Sequence, residues 1–109
     1  MKTIKVLIIT LIFATSLVIA GTTMAADGGS IYKSKCSACH GQSAQGTPGM
    51  APKLAGTDFI KGDAGPIREA IVNGRAGAAK KYKEFPMSMP KLGITEADAD
   101  AIVEYLKSL

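Results

Sequence analysis

Both cysteines of the chain and its one histidine lie within five consecutive residues, Cys36-Ser37-Ala38-Cys39-His40. This C-x-x-C-H pattern is typical of covalent attachment of a c-type haem. Two thiols three positions apart on a helical turn reach the two vinyl groups of one haem, and the next residue projects its imidazole at the iron. The motif therefore predicts a chain that folds around one haem c, bonded to Cys36 and Cys39, with His40 as an iron ligand.

Other chemistries that use paired cysteines fit this chain less well. A thioredoxin-like dithiol lies in a βαβ unit, and no segment after residue 26 has the period-two alternation of a strand. A tetrahedral zinc site needs four ligands, whereas Cys36, Cys39 and His40 are the only thiol or imidazole groups. A disulfide between the two cysteines would close too small a loop to stabilise the fold much.

Residues 1–25 have the features of a secretory signal peptide. They combine a basic start at Lys2 and Lys5, an apolar run over residues 6–20 and a small-x-Ala cleavage pattern at the end. A retained anchor is the alternative, but an apolar run of about 15 residues is short for a membrane span. We therefore expect export, with residues 26–109 as one domain that is not an integral membrane protein. Alternative cleavage sites are Ala20 and Ala26.

The domain that remains is too small to build a large core by itself. Its 84 residues include only 20 large apolar side chains, beside 13 alanines, 11 glycines and five prolines. Such a chain has a marginal core. A buried haem macrocycle would add apolar contact worth roughly 25 cal/mol for each Å² removed from water. We therefore expect the protein without haem to be largely unfolded.

The C-terminal segment has the clearest helical pattern. Thr95 and Asp98 form a capping pattern at its start, and apolar residues follow at helical spacing. This apolar stripe consists of Ala99, Ile102, Val103, Leu106 and Leu109. The pattern predicts a helix over residues 95–109 that packs one face against the core.

Two further helices are expected, joined by long loops. One begins near residues 27–30 and runs to the cysteines. The other covers residues 63–73, where Pro66 suits the first turn and Gly74 ends the helix. The intervening loops, residues 41–62 and 77–93, are long for a small domain, which indicates that they wrap the cofactor.

Several segments follow one another in a specific order along the mature chain. They are Gly29-Ser30-Ile31-Tyr32, Cys36 to Gly41, Ala51 to Gly56, and Met89-Pro90 ahead of Leu92 to Thr95 and the helix with Tyr105-Leu106. This order resembles the small class I c-type cytochromes, monohaem electron carriers of the bacterial periplasm. The resemblance implies an all-α class I cytochrome c fold, with three to five short helices wrapped around one covalently attached haem.

The residue on the other face of the iron decides what such a protein does. The mature chain has no second histidine, so the candidates are Met50, Met87 and Met89. The resemblance selects Met89, because it directly precedes Pro90 ahead of the C-terminal helix. Met87 is then an apolar contact at the haem edge, and Met50 a loop residue on the histidine side. Ligation by Met87, or exchange between it and Met89, stays open.

The same resemblance implies further contacts. The backbone carbonyl of Pro52 accepts a hydrogen bond from His40, and Leu54 packs on the macrocycle. Three residues are expected where the first and last helices cross, with the glycine allowing close approach: Gly29, Tyr32 and Tyr105.

Charge and aromatic content limit the partners. The formal net charge is +4, falling to +2 without the first 25 residues, and the chain has no tryptophan. Such a modest charge argues against a nucleic-acid reader. The basic residues expected around the haem are Lys53, Arg75, Lys80, Lys81, Lys83 and Lys91. They face either the haem propionates or an acidic partner, and Arg75 is the expected propionate contact.

These features predict a one-electron carrier rather than an enzyme, because ligation by His40 and Met89 leaves no iron position for a substrate. Electrons would pass at the haem edge to and from redox protein partners, with the carrier a monomer. The alternatives are a haem peroxidase or gas sensor with a labile sixth ligand, and a dedicated haem subunit of an oxidoreductase complex.

Overall fold

The structure, a computed structural model, describes residues 27–109, so the expected signal peptide lies outside the described residues. The helices are α1 (Gly28–Lys35), α2 (Ser37–His40), α3 (Asp58–Lys61), α4 (Ala64–Asn73), a 3-10 turn at Gly77–Ala79, and α5 (Glu96–Ser108). Over this range the chain has no strand beyond two isolated backbone bridges, which confirms the all-α class. None of these helices is long and apolar enough to cross a membrane.

Helix α5 begins and packs as the capping and apolar patterns predict. The Thr95 hydroxyl accepts a hydrogen bond from the Asp98 amide at 3.2 Å, which satisfies one of the free donors of the first turn. The buried face consists of Ala99, Ile102, Val103 and Leu106. The predicted extension of this stripe to Leu109 is wrong: that side chain is 44% exposed, because the helix ends at Ser108 and Leu109 lies beyond it.

The first and last helices cross in direct backbone contact. Asp27 caps α1 by accepting a bond from the Gly29 amide, and the crossing point is Gly28, where a Cβ atom would overlap the carbonyl of Ala101. The expectation that Gly29 allows the close approach is therefore wrong by one residue. A Cβ on Gly29 would instead meet a side chain, the Tyr105 ring, at 3.2 Å.

Helix α4 packs against α5 through the face that carries Ile67 and Ile71, both buried. It ends at Gly74, whose φ of 72° is in the left-handed region that favours glycine. Arg68 on α4 and Asp100 on α5 add an ion pair of 2.5 Å between the two helices. These contacts hold α4 against the C-terminal helix, which also packs directly on α1 and α3.

Residues 41–62, expected as a continuous loop, contain the four-residue helix α3. Thr57 caps its start by accepting a bond from the Ile60 amide at 3.4 Å. The ammonium of Lys107 on α5 donates to the carbonyls of Ile60, at 2.8 Å, and Gly62, at 2.5 Å. So short a helix has too little periodicity to stand out in the sequence, and part of its stabilisation comes from a distant residue.

Candidate functional site

The helices leave a cleft of ≈ 410 Å³ between α2, α3, α4 and the loop that precedes α5. Its lining is mostly apolar. The structure brings together in this cleft all the residues that the sequence assigned to the cofactor: Cys36, Cys39, His40, Pro52, Leu54, Arg75 and Met89. The volume is in the range that binding sites for small molecules and cofactors have.

A helical turn presents the two cysteines and the histidine on the wall of the cleft. Cys36 is the C-cap residue of α1 and the N-cap residue of α2. Its carbonyl accepts the amides of Cys39, at 3.3 Å, and His40, at 3.0 Å. The two cysteines form no disulfide, and burial raises the pKa of the Cys36 thiol. The turn therefore offers two thiols and one imidazole to the same ligand.

One ring nitrogen of His40 is hydrogen-bonded to the protein backbone. Its Nδ1 lies 3.1 Å from the carbonyl oxygen of Pro52. A carbonyl only accepts hydrogen bonds, so Nδ1 carries the proton and a neutral ring keeps its lone pair on Nε2. Burial lowers the pKa of His40, although the bond to Pro52 opposes this effect. Burial therefore favours the neutral ring, and the hydrogen bond from Nδ1 leaves Nε2 as the nitrogen available to a metal.

The methionines differ in how firmly the backbone holds them. Met89 exchanges two backbone hydrogen bonds with Arg75, at 2.8 and 2.9 Å, and its side chain is half-buried. Met87 is 52% exposed and Met50 is 36% exposed. All three line the cleft, but Met89 is the one anchored to the end of α4. Gly74 makes this possible, because a Cβ there would lie 2.5 Å from the Met89 carbonyl.

The rim of the cleft is basic. Lys35, Arg75, Lys80 and Lys81 contribute to the lining, and no carboxylate of the described chain does. The Arg75 guanidinium pairs with Glu69 at 3.2 Å and donates to the carbonyl of Ala79 at 3.3 Å. Three lysines that the sequence expected around the cofactor lie elsewhere on the exposed surface: Lys53, Lys83 and Lys91.

Sequence reasoning missed part of the lining. The residues not anticipated there include Lys35, Phe59, Ile60, Tyr82, Phe85 and Leu106. Phe59 and Ile60 belong to the unexpected helix α3. Lys81 sits over the Phe59 ring, 4.9 Å from its centroid, and so ties the loop before α5 to that helix. The signal available in the sequence was that four of these residues lie within the two predicted wrapping loops, whereas nothing marked Lys35 and Leu106.

The arrangement fits a haem. Two thiols on one turn match the two vinyl groups, an imidazole with a free Nε2 matches the iron, and an apolar lining matches the macrocycle. Cations at the rim complement the two propionate groups. Haem c would be held by thioether bonds to Cys36 and Cys39.

A helical domain with a C-x-x-C-H turn on the wall of an apolar cleft defines a class of protein, the small c-type cytochromes. The comparison with known families agrees: the family model described as cytochrome c matches residues 25–109. The chain therefore belongs to the cytochrome c family and has the class I fold. Members bind haem c covalently through two cysteines, here Cys36 and Cys39, and use it for electron transfer.

Two relatives differ in size. The chain is 32% identical over 93 residues to cytochrome c-554(547) of Halothiobacillus neapolitanus, covering 78% of this chain and 96% of that protein. It is 37% identical over 63 residues to the cbb3-type cytochrome c oxidase subunit CcoP of Azospirillum brasilense, covering 52% of this chain but only 21% of that subunit. No solved structure matches the chain.

Proposed function

We propose that the protein is a periplasmic one-electron carrier, with His40 and Met89 as the axial ligands of its haem iron, that passes electrons between redox proteins. The observation that carries this proposal is that the attachment turn, His40 and Met89 all line one apolar cleft. Ligation by an imidazole and a thioether closes both axial positions and suits electron transfer.

Support for His40 as a ligand comes from its contact with Pro52. The bond from Nδ1 to the Pro52 carbonyl leaves Nε2 as the free nitrogen. Such a bond fixes the orientation of a ligating imidazole and raises its basicity. Leu54, half-buried beside Pro52 and part of the same lining, is proposed to pack on the macrocycle.

Support for Met89 over Met87 comes from the backbone. The paired hydrogen bonds between Met89 and Arg75 fix the backbone from which the Met89 side chain extends. Among the described residues, Met87 makes no such backbone bonds and its side chain is more exposed. A ligand already held in place loses less conformational entropy when it binds, which favours Met89 as the sixth ligand.

When bound, the haem supplies an iron that is stable in both the ferrous and the ferric state. The protein attaches the group through Cys36 and Cys39, orients His40 through Pro52 and excludes water with its apolar lining. None of these roles requires a group that transfers protons or attacks a substrate. We therefore propose a carrier without catalytic residues, not an enzyme.

The charge distribution supports an acidic surface on the redox partners. The rim cations, among them Lys80 and Lys81, surround the cleft, whereas α5 carries Glu96, Asp98 and Glu104 on its exposed side. Arg75 is proposed to contact a propionate. Steering by such a local patch weakens as salt screens it. Export rests on the sequence of residues 1–25, and we propose that the free carrier is a monomer.

A second candidate is a haem subunit of an oxidase. It is favoured by the match to the CcoP subunit, although the chain spans only about a fifth of that protein. The two candidates differ in how the native protein behaves on purification. A subunit stays with its oxidase in a constant ratio through several columns, whereas a carrier separates as a free protein.

Carbon monoxide tests the proposal directly, because it binds ferrous haem only where an axial position is open. We expect the reduced protein at neutral pH to keep its visible spectrum under carbon monoxide and to show no peroxidase turnover with hydrogen peroxide. Rapid carbon monoxide binding together with peroxidase activity would contradict the carrier and support the enzyme or sensor alternative.

A further inference from the structure

Tyr32 is completely buried, with 0% of its surface exposed. Its hydroxyl donates a 2.7 Å hydrogen bond to the backbone carbonyl of Gly41. Burial raises the pKa of Tyr32 to about 12, so the hydroxyl keeps its proton and remains a donor at neutral pH. A phenylalanine would fill the same space, so the hydroxyl adds one specific contact, at the residue directly after His40.

The Gly41 carbonyl begins a chain of backbone contacts that folds the following loop back on itself. It also accepts the amide of Ala44 at 3.2 Å. Ala44 is fully buried and has a φ of 56°, a conformation that costs energy for a residue with a side chain. Its carbonyl accepts the amides of Leu54, at 2.9 Å, and Ala55, at 3.1 Å. These bonds hold the chain two and three residues after Pro52.

The loop returns to the histidine at two points. The Pro52 carbonyl meets Nδ1 of His40 at 3.1 Å, and the Gly46 amide donates to the His40 carbonyl at 2.8 Å. Hydrogen bonds therefore connect the Tyr32 hydroxyl, through Gly41 and Ala44, to Leu54, and two residues of covalent backbone link Leu54 to the Pro52 carbonyl that meets the ring of His40.

We propose that Tyr32 is a positioning residue for His40, because its hydroxyl holds the turn that presents the Pro52 carbonyl to the imidazole. The proposal rests on the proposed function in that it takes His40 to be an iron ligand. Without the hydroxyl, the Gly41 carbonyl keeps only the bond from the Ala44 amide, and the loop opens more often. A weaker bond from Nδ1 makes the imidazole a less basic ligand, which favours the ferrous state.

The test compares Tyr32→Phe with Tyr105→Phe in the haem-loaded protein. The Tyr105 ring packs against the Tyr32 ring, with centroids 5.4 Å apart. Its hydroxyl forms no hydrogen bond with another residue in the described part of the chain. The first readout is hydrogen exchange by NMR, in the ferrous state, of the His40 Nδ1 proton and of the Gly46 and Leu54 amides. The second readout is the reduction potential.

In Tyr32→Phe we expect these protons to exchange about tenfold faster and the reduction potential to rise. The amides of Ile102 and Val103 in α5, which report global unfolding, should change less. In Tyr105→Phe all these quantities should stay close to those of the parent. Equal acceleration at every site, or unchanged loop exchange and potential in Tyr32→Phe, would overturn the proposal.

The experiment also separates this proposal from the proposed ligation by His40 and Met89. The parent protein reports on the function: a low-spin spectrum supports ligation by His40 and Met89, and a high-spin ferric spectrum contradicts it. The Gly46 and Leu54 amides report on the loop whatever ligand the iron has. Accelerated loop amides without a shift in potential would contradict the positioning role and leave the proposed function untouched.

Discussion

At the scale of single residues, the cleft depends on backbone atoms as much as on side chains. Pro52 acts through its carbonyl, which orients the His40 ring, and Met89 is held by two backbone bonds to Arg75. A substitution at either position changes the site through what the backbone presents, whereas the two cysteines act through their sulfur atoms. Side-chain replacement is therefore most informative at the methionines.

Replacing Met89 by alanine should remove the sixth ligand. We expect the ferric protein to lose the weak far-red band of a sulfur–iron bond, to bind carbon monoxide when reduced, and to have a lower reduction potential, because methionine ligation raises it. Met87→Ala is the matched control, two residues away in the same loop, and should retain the band. The reverse pattern would assign the sulfur to Met87.

The sequence predicted the residues that would hold the cofactor better than the other residues that line the cleft. Cys36, Cys39 and His40 lie within five residues, so their spacing alone indicates a shared ligand, and the structure brings Pro52 and Met89 to the same cleft. Lys35 and Phe59 were missed, because nothing in their local pattern separates a residue that faces a cleft from one that faces solvent. Such positions depend on how distant segments pack.

At the scale of helices, the crossing of α1 and α5 is the tightest contact of the fold. Gly28 permits it, since a Cβ atom there would overlap backbone that cannot move independently. Sequence reasoning placed the glycine one residue too late, because the segment offers two adjacent glycines and the register of the crossing is set by α5. Helix α3 was missed for a related reason: the Lys107 ammonium that binds its last carbonyls comes from α5.

The close contact makes Gly28→Ala a strong test of the crossing. We expect it to lower the free energy of unfolding by about 2 kcal/mol, the usual cost of forcing extra volume into a packed site. Gly65→Ala is the control. It lies near the start of α4 with no atom within 4 Å of the added Cβ and should stabilise by about 0.5 kcal/mol. Urea unfolding of the haem-loaded variants, followed by circular dichroism, measures both.

Equal stability of the two alanine variants would contradict the close contact between α1 and α5 at Gly28. A change in the denaturant dependence of Gly28→Ala, rather than in its midpoint alone, would instead indicate that the compactness of one state had changed. Haem content should be equal in both proteins, so that the comparison concerns only helix packing.

At the scale of the whole molecule, the cofactor accounts for a fold with few large side chains. The buried core brings α1, α4 and α5 together around residues such as Tyr32, Ile67 and Ile102. Part of this core, including Ile67, also lines the cleft. An empty cleft would expose much of its apolar lining to water, so the domain without haem lacks a large part of its stabilising contact.

This view predicts that Cys36→Ser combined with Cys39→Ser, purified without haem, has little helix and no cooperative thermal transition. The parent protein with haem bound should unfold in one sharp step, since a ligand that binds only the native state stabilises it. Far-UV circular dichroism during heating distinguishes the two. A sharp, native-like transition in the haem-free double variant would show that the polypeptide core is sufficient alone.

The central claim is that the iron is closed on both faces by His40 and Met89, and the visible spectrum of the purified protein tests it most directly. We expect a low-spin ferric spectrum at neutral pH with the weak far-red band of a methionine–iron bond, and sharp ferrous bands after reduction. A high-spin ferric spectrum without the far-red band would contradict the claim and support a haem enzyme or sensor.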